Sequence, residues 1–373
     1  MRILLLGEYS NVHWTLAEGL RAIGHEVTVV SNVDYWKNYP RDINLERKTG
    51  KIGGITYYLK ALSLLPKLRG YDIVQLINPM FLELKAERLY FFYNYLRRHN
   101  KKVVLAAYGM DHYWAYINSH SKPLRYSDFN FGNTRRTDPI AMRDYNDWVG
   151  TEKERLNKYI ANDCDAIITG LYEYDIDYRT AGFANKTHFV PFPIKAANAN
   201  QQACEHPTNF PVRLFIGISK NRSAYKGTDI MLRAAKRIAE KYPQRVKLLV
   251  AEGVPFEQYK TMIDNADVIL DQLYSYTPAM NALEAMNRGT IVVGGGEPEQ
   301  YEFINERELR PIVNVQPTEE SVYEQIENLL LSADITKQKA DSVEYIRRHH
   351  DHIKVARRFI SVLTQSPTDG AQG

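Results

Sequence analysis

Three short stretches carry side chains suited to an anionic, hydroxyl-rich ligand. Lys226-Gly227-Thr228 follows a basic loop, Ser219-Lys220-Asn221-Arg222, and directly precedes the amphipathic run 228–242. Lys220, Arg222 and Lys226 can neutralise a diphosphate there, helped by backbone N–H groups at a helix start. The competing reading is a solvated turn before a helix. Glu284 sits among apolar Met280, Ala282, Leu283 and Met286. It can accept hydrogen bonds from ribose hydroxyls, or be a surface glutamate that favours helix. Gly294, Gly295 and Gly296 bring backbone to the surface without side chains. Glu297 and Glu299 follow, and one of them can instead cap the next helix.

The first half offers a second cluster. Tyr108-Gly109-Met110-Asp111-His112 ends a predicted strand over 102–107. Asp111 is its acid–base or sugar-orienting candidate. His112 is adjacent, and neighbours on extended backbone point apart. A solvated loop pair is the alternative. His13 opens the first predicted helix and would face a cleft if the surrounding β-α-β reading holds; otherwise it is a satisfied cap or surface histidine. The tract Arg347–His350 can touch phosphates or acidic lipid, although such a run is more often a wet helix face.

The elements that would position these groups alternate strand and helix. Arg2–Leu6, a helix over 14–23 and Glu26–Ser31 form a β-α-β unit, which implies a parallel sheet. The loop after Gly7 lacks a GxGxxG dinucleotide fingerprint. Residues 32–51 read as a long loop, and Gly54–Tyr58 as a strand. Strands are expected at 72–76, 102–107 and 166–169, with helices at 81–99 and 152–162. Tyr113–Thr151, rich in Tyr, Asn, Asp and Arg with little periodicity, reads as an insertion over the cleft, facing an acceptor. The expected domains are 1–194 and 212–341, joined by a polar, proline-flanked linker at 195–211. A long helix at 342–363 and a disordered tail at 364–373 follow. In the second half, Val268–Leu270, a helix opened by Pro278 and stopped by Gly289, and the β-branched Thr290–Val293 bring the candidate loops to the carboxyl ends of strands, where open α/β sheets bind ligands.

Composition bounds the function. A chain of 373 residues suits two domains. A net charge of +4 gives no support to a nucleic-acid role. Cys164 and Cys204 allow at most one bridge, a reducing compartment is the simpler setting, and no zinc motif is present. The opening MRILLLGEY reads as a first strand, not a signal peptide, and no window has the apolar length of a membrane span.

These motifs resemble the GT-B glycosyltransferases of the large retaining family 4 type, glycosyl transferases group 1. The resemblance is strongest from Leu214 to Gly296. Lys226-Gly227 looks like the family's Lys-Gly before a helix, with Asn221 where relatives have arginine, so that Arg222 or Lys220 would take that role. Leu283-Glu284-Ala285-Met286 looks like the family's Glu-Ala-Met stretch, whose glutamate binds the nucleotide ribose. The family's first glutamate, eight positions earlier, falls at Tyr276, a position that contacts the donor sugar in relatives. Gly295 and Glu297 look like its Gly-Gly-x-x-Glu region. His13 matches a first-loop histidine, and Ala107–Asp111 resembles a His-Gly-Ser-Asp stretch with Tyr108 in place of histidine.

The resemblance implies a GT-B fold: two Rossmann-like domains with parallel sheets facing a cleft, and a C-terminal helix crossing back to the first. It implies transfer of a sugar from a nucleotide diphosphate sugar, with retention, to a saccharide or lipid-linked saccharide acceptor. No metal or other cofactor is implied; the nucleotide sugar is a co-substrate. Lys226 and Arg222 would offset leaving-group charge, with Asp111 and His13 on the acceptor side. The implied setting is polysaccharide or glycoconjugate synthesis in the cytoplasm, with peripheral contact at the inner membrane face as a further option. The run Tyr57–Arg69 could lie in that interface, although an ordinary packed helix is favoured. Rival readings are a related protein that binds nucleotide sugar or glycan without turnover, for which Tyr276, Tyr108 and Asn221 speak, and a sugar-nucleotide epimerase. The oligomeric state is not legible.

Overall fold

Apolar, β-branched runs that stop at glycine or polar turns recur along the chain, and each becomes a strand. The computed structural model describes residues 1–32, 38–196, 210–219, 222–331 and 334–364. Its strands in chain order are β1 (Arg2–Leu6), β2 (Glu26–Ser31), β3 (Ile43–Asn44), β4 (Ile73–Leu76), β5 (Lys102–Ala107), β6 (Asn130–Phe131), β7 (Thr134–Arg135), β8 (Ala166–Thr169), β9 (Thr187–Phe189), β10 (Val212–Ile218), β11 (Val246–Glu252), β12 (Val268–Leu270), β13 (Ile291–Gly294) and β14 (Val313–Asn314).

The first unit comprises Met1–Pro123, Arg143–Pro193 and the stretch from His352 onward. Its parallel sheet has the order β3-β2-β1-β4-β5-β8-β9. Residues 3–6 and 103–107 are buried along their whole length, as a sheet covered on both faces requires. The helices Val12–Ala22 and His352–Thr364 pack together within this unit. A side chain at Gly19 would come within 2.2 Å of the His352 carbonyl oxygen, so glycine permits the approach. The expected C-terminal helix on the first domain is therefore present.

The second unit comprises Leu124–Met142 and Ile194–Asp351. Its parallel sheet has the order β11-β10-β12-β13-β14. The strand order reverses at β10, so the loops after β10 and β12 flank a topological switch point, where ligands of such sheets bind.

Several expectations change. Gly54–Tyr58 is not a strand but part of the helix Gly50–Leu64, because Tyr57, Ala61 and Leu64 recur at helical spacing and join the core. The loop after β2 contains β3, and its residues 33–37 lie outside the described residues. Tyr113–Thr151 does not stay with the first domain as one insertion: the helix His112–His120 belongs there, whereas Leu124–Met142, with the β6–β7 hairpin, packs into the second unit. The final helix is two. Ile335–Tyr345 runs into a wider turn at Ile346–His350, the backbone leaves helical geometry at Asp351, and His352–Thr364 starts afresh. The Ile194 N–H bonds the His350 carbonyl at 2.7 Å, taking an acceptor a continuous helix would use itself. The proposed linker lies mostly, at 197–209, outside the described residues, as do Cys204 and residues 365–373 of the tail. Cys164 is a buried thiol. No helix among the described residues is long and apolar enough to cross a membrane.

Candidate functional site

Three loops at the carboxyl edge of the second sheet are joined by backbone. After β10, Ser223–Lys226 makes one helical turn and Gly227 opens the helix Thr228–Lys241 with φ +72°. A Cβ at Gly227 would lie 2.6 Å from Leu273 Cβ, and the Leu273 N–H bonds the Lys226 carbonyl at 2.9 Å. The loops after β10 and β12 thus touch only because residue 227 is glycine. A Cβ at Gly295 would fall 2.1 Å from the Ser275 carbonyl oxygen, and the Glu297 N–H bonds the Tyr276 carbonyl at 3.2 Å. The loop after β13 is therefore pinned to the loop after β12.

Charge at this edge is uneven. Arg222 is exposed, with its guanidinium 5.4 Å from the Tyr225 ring centre. Lys226 is half-buried and lies near Asp271, whose pKa is raised by burial, an effect the lysine's charge partly offsets. Neither cation forms an ion pair among the described residues. Lys220 and Asn221 lie outside the described residues. Glu284 is the charged side chain of the helix Met280–Asn287. Burial raises its pKa, and Arg288, 3.9 Å away, partly counters this.

Tyr276 and Glu297 are engaged differently, by a segment the sequence did not link to them. The Tyr276 hydroxyl accepts the Arg125 N–H at 2.7 Å. Burial pushes its pKa up to about 12. The buried Glu297 carboxylate accepts from the Arg125 guanidinium at 2.5 Å, from the Tyr126 hydroxyl, and from Gln316 Nε2 at 2.8 Å. Arg125 also pairs with Glu299, whose pKa falls below its ordinary value because this hydrogen bond outweighs the burial that would raise it. Further along the segment, Phe131 meets the Tyr274 ring edge-on at 4.9 Å. Arg136 donates to the Tyr225 carbonyl at 3.2 Å, with its guanidinium 4.4 Å from the Tyr274 ring centre. Leu124–Met142 is therefore a strap touching all three loops. Its density of Arg and aromatic residues without periodicity was the available signal.

The first-unit candidates are enclosed. Asp111 caps the helix His112–His120: Oδ1 accepts from the Trp114 N–H at 2.8 Å and Oδ2 from the Tyr178 hydroxyl at 2.6 Å. Burial pushes its pKa up to about 6 against these bonds. His112 is buried, with its N–H on Asn157 Oδ1 at 3.0 Å, and burial lowers its pKa to about 4. His13 is fully buried: Nδ1 is 2.7 Å from the Gly7 carbonyl and Nε2 is 3.0 Å from Gln75 Nε2. Burial lowers its pKa to about 3, so the ring is neutral. The surface alternative for His13, and the solvated loop alternative for Asp111 and His112, are not what the structure has. Among the described residues no group of three or more His, Cys, Asp or Glu is arranged to hold a metal ion.

No protein-family model matches the chain, and no curated protein matches it. Solved structures match along nearly its whole length. Sucrose-phosphate synthase from Thermosynechococcus elongatus superposes with TM-score 0.59 at 14% identity, over 97% of this chain and 98% of that one. HepE of Anabaena, solved with UDP and glucose, gives 0.54 at 11% identity, over 98% and 99%. UDP-GlcNAc 2-epimerase from Methanocaldococcus jannaschii gives 0.50 at 12% identity, over 98% and 99%. At these identities the likeness defines the fold. The chain is a GT-B-fold protein, with two Rossmann-like parallel sheets and a C-terminal helix on the first.

Proposed function

We propose that the chain is a retaining glycosyltransferase that moves a sugar from a nucleotide diphosphate sugar to a hydroxyl of a saccharide or lipid-linked saccharide, in polysaccharide or glycoconjugate synthesis in the cytoplasm. The observation carrying this reading is the pair Lys226 and Arg222, without ion pairs among the described residues, beside the start of the helix Thr228–Lys241 at the second sheet's switch point. Cations there, with free N–H groups at the helix start, suit a diphosphate. Glu284 suits ribose hydroxyls as an acceptor. The UDP in the HepE structure and the UDP-GlcNAc named for the epimerase support a nucleotide sugar as the ligand.

In the proposed step the bond from the anomeric carbon to the diphosphate breaks as the acceptor oxygen attacks the same face. The acceptor proton passes to a leaving phosphate oxygen. Lys226 and Arg222 hold the charge that develops on the diphosphate. Asp111, occupied as a helix cap, serves as a positioning residue, which fits a path without an enzyme nucleophile. Gly227 and Gly295 let the loops approach.

A second reading, binding without turnover, is favoured by the saturated Glu297 and by Tyr276, both committed to the strap. The two readings, and an epimerase, separate in one experiment. Nucleotide sugars are incubated with saccharide acceptors, and released nucleotide and product configuration are read by NMR. Nucleotide release with an α-linked product from an α-linked donor supports transfer, and Lys226→Ala should lower kcat/KM by roughly 100-fold. An epimerised donor, or bound donor without turnover, would overturn it.

A further inference from the structure

The turn that carries Lys226 has its carbonyl groups met one by one. In Ser223–Lys226 the Ser223 carbonyl accepts the Gly227 N–H, and the Lys226 carbonyl accepts the Leu273 N–H at 2.9 Å. The two carbonyls between them are met from 89 residues away in sequence, by Arg136. Its Nη2 donates to the Ala224 carbonyl at 3.4 Å and to the Tyr225 carbonyl at 3.2 Å, and its Nη1 donates to the Tyr225 carbonyl at 3.2 Å. Ser223 Oγ lies 2.9 Å from Thr228 Oγ1, so the turn is tied to the start of the helix Thr228–Lys241.

Arg136 is only 8% exposed. Its Nε donates to Asp138 Oδ2 at 3.0 Å, and Nη1 also donates to the Ser127 carbonyl at 3.4 Å. A guanidinium has five N–H groups, and these five bonds use them, so none is left for a ligand. Aromatic rings wall the cation in: its centre is 4.4 Å from the Tyr274 ring centre and 5.5 Å from those of Phe131 and Tyr225. The Arg136 backbone N–H bonds the Phe129 carbonyl at 2.7 Å, which mounts the side chain on the β6–β7 hairpin.

We propose that Arg136 is a positioning residue for diphosphate binding. It sets the turn 223–227, and with it Lys226 and the first N–H groups of the helix Thr228–Lys241, before the ligand arrives. This rests on the reading of that edge as a diphosphate site. Two enclosed carbonyls left without a donor are costly, and a turn that must be ordered on binding takes its cost from the affinity. Asp138 offsets the charge of Arg136, so the arginine acts through the geometry of the turn and not as a further cation for the phosphates. Lysine carries the same charge, but its three donors sit on one nitrogen and cannot serve Asp138, Ala224 and Tyr225 together.

The test is titration of the full chain, as wild type, Arg136→Lys and Phe131→Ala, with UDP and GDP and with uridine and guanosine. Calorimetry reads the tighter ligands and NMR shifts the weaker ones. The readout is the affinity gained from the diphosphate, taken as the ratio of the nucleoside Kd to the nucleoside diphosphate Kd. Arg136→Lys should shrink this ratio by roughly tenfold while nucleoside affinity holds. Phe131 is 38% exposed, so Phe131→Ala should fold normally, and it should shrink the ratio by roughly threefold through the lost ring wall. A merely structural role would lower the competent fraction for both ligands alike and leave the ratio unmoved. An unchanged ratio in folded Arg136→Lys, or in Phe131→Ala should the lysine variant not fold, overturns the proposal while leaving the diphosphate site in place. A folded wild type that binds no nucleotide, or gains nothing from the diphosphate, overturns the reading of the site itself and the proposal with it.

Discussion

Arg125 and Glu297 are 172 residues apart in sequence, and their side chains meet at 2.5 Å. The carboxylate is buried, whereas the guanidinium is 51% exposed. Through this pair a segment from the first half of the chain is fastened over the carboxyl edge of the second sheet.

Removing Arg125 leaves a buried carboxylate with neutral donors. Loss of one partner of a buried pair costs about 3–5 kcal/mol. Solvent screening of the half-exposed arginine brings the expectation for Arg125→Ala down to about 2 kcal/mol. Urea denaturation should show that loss, and Glu297→Gln in the same chain should recover most of it, since the charge is then gone. Equal losses in the single and double variants would mean that the pair does not fasten the strap.

Gly227 and Gly24 offer a matched comparison. Both have positive φ, +72° and +88°, but a Cβ at Gly24 meets nothing within 4 Å, while one at Gly227 would overlap Leu273. Gly24→Ala should cost about 1 kcal/mol from backbone conformation. Gly227→Ala should cost about 3 kcal/mol through added overpacking and should also weaken anion binding. Thermal melts of both variants check this; equal shifts would remove the steric argument for the joined loops.

His13 should shape acid stability. Its folded pKa, about 3, lies below the unfolded value of 6.5. The unfolded chain therefore binds the extra proton first. Stability is full above about pH 6.5 and is lost as pH falls towards 3, by on the order of 5 kcal/mol. His13→Gln should start less stable at pH 8 by about 1–2 kcal/mol for the altered hydrogen bonds but should show a flatter decline. Chemical denaturation across that range gives the slopes.

Asp111 has the opposite sign. Its folded pKa, about 6, lies above the ordinary 3.8. Its contribution is fully favourable below 3.8 and is lost as pH rises through 6. Asp111→Asn, which keeps an oxygen for the Trp114 N–H, should therefore be more stable than wild type at pH 8 by up to about 3 kcal/mol. Asp111→Ala gives up the cap and should lose about 1 kcal/mol of that advantage. Denaturation at pH 8 and pH 4 separates the two effects.

What was legible in the sequence was what local pattern encodes. The β-branched stretch Thr290–Val293 and the stop at Gly289 gave β13, and Lys226-Gly227 before an amphipathic run gave the loop at the switch point. Thr318 is of a residue type that caps helices, and its hydroxyl oxygen accepts the Ser321 N–H at 3.2 Å at the start of the helix Glu319–Leu331. What was hidden depends on distant partners. Nothing near Arg125 or Tyr126 indicates that their acceptor is Glu297. Ile52, Ile55 and Thr56 favour a strand, but Tyr57, Ala61 and Leu64 recur at helical spacing and bury together, which decided for helix. The break at Asp351 follows from the Ile194 backbone bonding the His350 carbonyl, a pairing that no window of sequence contains.

Calorimetric titration of UDP and GDP, each alone and with its sugars, into wild-type protein, Lys226→Ala and Glu284→Ala tests the donor site directly. One base series should bind the wild type, and either variant should weaken that binding by about tenfold or more. Folded wild-type protein that binds no member of the panel, or binding unchanged in both variants, would contradict the donor-site assignment.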